Sequence, residues 1–166
     1  MIEAWRNLLQ QPDADLSYLA LLLSLPDEIY LAGQMTVVDV DAIHQAREFV
    51  KKNLAAQLQN DFMRLYQQHH IDESGNFTAA AIGRRRLKNT CLSYLITLET
   101  EQIYQLAEQQ FYGAGNMTDQ LAALNAITNS WHPAKARSLD SFYHQWRYEA
   151  LVIDKWFSLQ ASCSQK

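Results

Sequence analysis

The chain has 166 residues, a length that one domain accommodates, and 48% of them are apolar, enough to build a core. Its 14 lysines and arginines against 18 aspartates and glutamates give a net charge of −4, so nothing global draws it to nucleic acid or to an anionic lipid surface. Two cysteines, Cys91 and Cys163, are too few and too distant for a disulfide framework or a zinc knuckle, and a reduced, cytoplasmic setting is expected.

Ile2, Trp5, Leu8 and Leu9 predict a first helix that opens at Met1 without a cap. Asp13 or Asp15 opens a second across residues 16–25 (LSYLALLLSL). That stretch is about half the length that crosses a bilayer, and acidic residues stand where a signal peptide would be basic, so no membrane contact is expected. Pro26 is placed in the first turn of a short third helix that stops near Gly33. Residues 35–40 (MTVVDV) have strand character but are too short and isolated to found a sheet.

Asp39 is an N-cap candidate, and apolar residues follow at Ile43, Ala46, Val50, Leu54, Leu58, Phe62 and Leu65. Their mean spacing, roughly 3.7 residues, predicts one nearly straight helix with a single buried stripe. Reaching about His69, it would be roughly 45 Å long. Glu48 with Lys52 and Asp61 with Arg64 are spaced to pair on its solvated face. Residues 72–77 (DESGNF) form a loop, and Thr78 caps a helix reaching about Leu98. Thr100 starts another, which ends at Gly113 and Gly115. Thr118 is the expected cap of the next, with Asp119 in its positive first turn. Pro133 opens a helix carrying Leu139, Phe142, Tyr143 and Trp146, and a last one holds Leu151, Val152, Trp156 and Phe157.

The fold class is therefore all-α, a single helical domain over residues 1–166. Eight or nine helices stack as antiparallel pairs in an α-solenoid or HEAT-like manner. No internal repeat is visible in the residues themselves. The uncapped first helix and the aromatic last one look like cuts through a longer stack, because solenoids end in polar capping repeats.

Chemistry is sparse. His44 with Glu48, and His69-His70 near Asp72 and Glu73, offer two ligands at a time where zinc needs three or four, and there is no HExxH. Cys91 is in line with Leu87 and Leu95, which points it into packing. No serine sits in a GxSxG elbow, and Thr118 stands where a phosphate-binding glycine triplet would have its third member. In the basic run Arg84, Arg85, Arg86 and Lys88, only Arg84 and Lys88 share a helix face. No aromatic residues are interleaved for base stacking, so the run is read as pairing with neighbouring helices and no nucleic-acid partner is expected. No catalytic, metal or cofactor-binding residue is assigned.

Three strings carry a resemblance: residues 85–95 (RRLKNTCLSYL), 116–126 (NMTDQLAALNA) and 151–161 (LVIDKWFSLQA). In this order and spacing they resemble the C-terminal helical domain of bacterial aminopeptidase N, a zinc metallopeptidase family, and residues 25–49 are similar to the same domain further upstream. The family positions are Arg85, Leu87, Asn89 and Cys91, then Asn116, Met117, Thr118 and Asp119, then Asp154, Lys155, Trp156 and Phe157. All are expected to serve helix–helix architecture.

The resemblance implies that the chain is the first part of that domain. Its partner would be the catalytic domain of the same polypeptide, which holds the zinc and trims N-terminal residues from peptides enclosed between the two. Neither HExxH nor a GxMEN-type motif occurs here, so the segment alone would be inactive. The alternative is a free-standing α-solenoid scaffold that binds a protein in a groove between helix pairs.

Overall fold

The computed structural model describes residues 2–11, 14–71 and 73–163. Among them are ten α-helices and no strand: α1 (Ile2–Leu9), α2 (Leu16–Leu22), α3 (Glu28–Ala32), α4 (Val40–Gln57), α5 (Gln59–His69), α6 (Ala79–Leu95), α7 (Glu101–Gly113), α8 (Met117–Thr128), α9 (Lys135–Trp146) and α10 (Ala150–Ala161). A 3-10 turn, Ile96–Leu98, follows α6. The chain divides into two compact units, Met1–His70 with Phe77–Leu98, and Ile71–Asn76 with Glu99–Lys166.

In the first unit α6 is the central element, packed on by α2, α4 and α5, while α1 lies on α5 and α3 on α4. Ala81, Leu87, Cys91, Leu92, Tyr94 and Leu95 are all buried, which takes in most of the circumference of α6, as a helix surrounded by neighbours requires. Gly83 sets the approach of α2. A Cβ there would stand 3.1 Å from Ser17 Oγ and 3.3 Å from Leu16 Cβ. Tyr94 stacks on Phe62 (4.9 Å between centroids, 3° between planes) and meets the edge of Trp5 at 5.5 Å. Its hydroxyl donates to the Leu23 carbonyl at 2.6 Å and closes the end of α2.

Most caps follow the sequence reading. Asp15, Asp39 and Thr78 accept from the amides of Tyr18, Ala42 and Ala81; Met1, Asp13 and Asp72 lie outside the described residues. Two expectations in this unit are corrected. Pro26 precedes α3 instead of entering it, because Asp27 is the cap and accepts from Tyr30 N at 2.6 Å. The long helix is also not continuous: it breaks at Leu58 (φ −119°, ψ 18°) into α4 and α5, which is why there are ten helices among the described residues. Leu54, Leu58 and Phe62 are still all buried, so the break re-aims the stripe without losing it. A cause sits beside it. Arg6 of α1 reaches the Gln57 carbonyl (3.5 Å) and the Asp61 carboxylate (3.9 Å), and thereby serves backbone that the bend releases from the helical ladder.

The second unit is built around α8, with α7, α9 and α10 against it. Ile103, Ala107, Phe111, Ala123, Leu124, Ile127 and Phe142 form its core. The cap of α8 is Asn116 rather than the expected Thr118: its side chain accepts from Asp119 N at 2.9 Å, and Thr118 is an exposed first-turn residue. In α10 no residue is buried; Leu151 is 80% exposed and Phe157 59%.

Candidate functional site

The three strings are one stripe of α6, the opening of α8 and the body of α10. On α6, Leu87 and Cys91 are fully buried, as expected, and Asn89 is half-buried. Burial pushes the Cys91 thiol up to about 12, so at neutral pH it is an un-ionised packing group. The basic run is distributed otherwise than the helical wheel predicted. Arg85 and Lys88 are turned inward, 7% and 3% exposed, and Arg86 is the exposed member. Long aliphatic stems let a cation lie on an apolar face, which a count of 100° steps ignores. Two of the four charges are thus withdrawn from any surface that a polyanion would need.

The opening of α8 is the best-built polar cluster of the second unit. Asn116 and Asp119 bond reciprocally, Asn116 Nδ2 donating to Asp119 Oδ2 at 2.9 Å while Asp119 N donates back to Asn116 Oδ1. The buried Gln110 amide donates to the Asp119 carbonyl at 2.9 Å. Beside it, Gln120 Nε2 donates to Gln145 Oε1 and Gln120 Oε1 accepts from Trp146 Nε1 at 3.0 Å, which ties α8 to α9. Met117 is half-buried. The sequence marked Asn116 and Asp119 but not the glutamines that join them, Gln110, Gln120 and Gln145, because glutamine is common throughout the chain. It orders helices and offers no nucleophile.

On α10, Trp156 is half-buried and donates to the Leu139 carbonyl at 2.9 Å, with its ring 5.1 Å from Tyr143. Phe157, expected with the other family positions to serve helix–helix architecture, instead faces outward beside it. Asp154 and Lys155, of which the same was expected, are exposed.

The histidines are occupied structurally. His44 meets Glu28, not Glu48, at 2.8 Å, and Arg47 joins the same carboxylate at 3.6 Å. His70 lies on the Tyr66 ring, and His69 is buried. His132 accepts from Ala134 N through Nδ1 (2.9 Å) and faces the Tyr104 carbonyl with Nε2 (3.1 Å), which assigns the Nε2–H tautomer. Among the described residues no three side chains of His, Cys, Asp or Glu gather into a potential metal site. No helix of the described residues is long and apolar enough to cross a membrane.

One region unremarked in the sequence is a cleft in the first unit, where Arg47 and Lys51 of α4 face Thr90, Ser93 and Tyr94 of α6. Burial lowers the Lys51 ammonium below the ordinary lysine range; Glu48 opposes this and Arg47 adds to it.

Comparison with known proteins places this geometry. Residues 1–166 match a family described as a domain of unknown function, DUF3458_C, with ARM repeats. The chain is 33% identical over 162 residues to aminopeptidase N of Haemophilus influenzae, covering 98% of this chain and 18% of that protein. It is 32% identical over 160 residues to aminopeptidase N of Escherichia coli, covering 96% and 18%. Among solved structures, Legionella pneumophila aminopeptidase A in complex with aspartic acid superposes with a TM-score of 0.85 at 26% identity, over 99% of this chain and 20% of that one. The chain therefore spans about a fifth or less of the length of these relatives.

Proposed function

Because the chain belongs to the DUF3458_C family of ARM-repeat helical domains, we propose that it is a non-catalytic helical segment of a larger zinc aminopeptidase, and that it walls and closes the peptide cavity. The observation that carries this reading is the near-complete match of the chain to a fifth or less of proteins named aminopeptidase. The site geometry agrees in kind. Most of the positions that carry the resemblance pack helices or tie their ends, and among the described residues no acid, base or nucleophile is brought to a common reacting centre.

In this proposal bond cleavage, and the zinc that supports it, belong to the catalytic domain of the same polypeptide, in a cytoplasmic setting that the low cysteine content suits. What this segment contributes is exclusion. A stiff helical wall admits peptides and turns away folded polypeptides, a steric part of specificity.

The test is direct. The purified 166-residue chain, supplied with zinc, is expected to release no product from an aminoacyl anilide, and zinc-dependent turnover by pure material would overturn the proposal. In the parent enzyme, replacing Leu87 and Phe142 by alanine loosens both units. It is expected to lower the discrimination between short peptides and a folded polypeptide with an accessible N-terminus. Unchanged discrimination with a measurably loosened domain would contradict the walling role.

A further inference from the structure

We infer that the cleft between α2, α4 and α6 binds a compact oxyanion, a carboxylate or phosphate group. Its volume is about 230 Å³, which is small for a cofactor and ample for one anionic group with a short body. Two cations line it, Arg47 and Lys51, one turn apart on α4, and no carboxylate does. Arg47 is fixed by its Nε donating to the Pro26 carbonyl at 2.7 Å and by Glu28 at 3.6 Å. Glu28 is shared between Arg47 and His44, the latter at 2.8 Å, so Arg47 enters the cleft partly neutralised and Lys51 carries the larger part of its positive charge. Lys51 has no hydrogen bond or ion pair with any described residue, although it is half-buried.

The competing role for such a lysine is to cap the carbonyl end of α2, and most of that end is already occupied. The Leu19 carbonyl takes Leu23 N and the Ala20 carbonyl takes the Ser24 hydroxyl. The Leu21 carbonyl takes Ser24 N, and the Leu23 carbonyl takes the Tyr94 hydroxyl. The ammonium lines a cleft whose other polar side chains are Arg47 and four hydroxyls that already donate to backbone carbonyls, so an anion there would be held by the two cations. A half-buried cation held beside a second cation gains most from an anion, because charge-assisted hydrogen bonds are the strong ones. Burial and Arg47 lower the Lys51 ammonium and Glu48 offsets this only in part, so a further negative group at the ammonium is favoured.

The experiment is pulsed acetylation of the 166-residue chain, read by mass spectrometry, with inorganic phosphate in one arm and acetate in another, at ionic strength held constant with chloride. Lys52, the exposed neighbour, is the internal control. Shielding of Lys51 but not Lys52 by phosphate alone identifies a phosphate-bearing ligand, and shielding by acetate as well identifies a carboxylate. Equal labelling of Lys51 with and without both anions, or equal shielding of the two lysines, overturns the site. Calorimetry with Lys51→Met is expected to show the shielding anion bound at least about tenfold more weakly, the worth of one charge-assisted hydrogen bond. Unchanged affinity would place the anion elsewhere. The labelling arm does not depend on the variant folding.

Discussion

Ser138 is fully buried on α9, and its hydroxyl, like that of Thr128 at the end of α8, has no hydrogen-bond partner among the described residues. An unpaired buried hydroxyl costs about 1–3 kcal/mol, so Ser138→Ala is expected to stabilise the chain by about 1 kcal/mol in chemical denaturation. A loss of stability would mean that the hydroxyl is satisfied by an ordered water. The cysteines differ in the same physical terms. Cys91 is sealed and held neutral, while Cys163 is partly exposed. Iodoacetamide on the native chain is therefore expected to modify Cys163 and to reach Cys91 only after unfolding, and mass spectrometry distinguishes the two. At this scale the sequence was legible where side chains are short. Leu87 and Cys91 pack where their spacing placed them, whereas Arg85 and Lys88 turned inward because their stems are long enough to choose a face.

Helix ends and crossings decide matters at the scale of elements. Asn116, not Thr118, holds the first turn of α8, so the two substitutions separate cleanly. Asn116→Ala is expected to cost about 1 kcal/mol, and Thr118→Ala about 0.5 kcal/mol or less. Equal effects in urea melts would refute the assignment. Both residues are good caps by type, and the choice between them is made by where Gln110 and Asp119 meet, which no local rule contains. Gly83→Leu drives a large side chain into Ser17 and is expected to destabilise by about 2–3 kcal/mol or to prevent folding. The bend at Leu58 was illegible for a similar reason. No proline or glycine marks it, and the residue that serves its freed carbonyl lies 51 positions earlier. Asp39, Asp15 and Thr78 were readable because a cap acts within its own first turn.

For the molecule as a whole, the class was readable from composition. The stretch from residue 27 to 132 contains no proline and is rich in alanine, leucine and glutamine, a pattern with no economical alternative to helices. The grouping of helices into two units was not, because it depends on contacts distant in sequence. Burial is also uneven across it. α6 is wrapped by neighbours, and α10 has no buried residue. Hydrogen exchange is expected to follow: α6 amides open only with global unfolding, and α10 amides exchange orders of magnitude sooner. Equal protection in the two helices would show that α10 is held by more than its few contacts.

The bond between Tyr94 and the Leu23 carbonyl spans 71 residues. During synthesis, at about 5–20 residues per second, α2 must therefore wait roughly 4–14 s before the helix that covers it has left the ribosome. Over that interval its leucine-rich face has no native cover, whereas the second unit can assemble neighbour by neighbour as it emerges. The vulnerable interval for this segment is therefore the one between the emergence of α2 and that of α6.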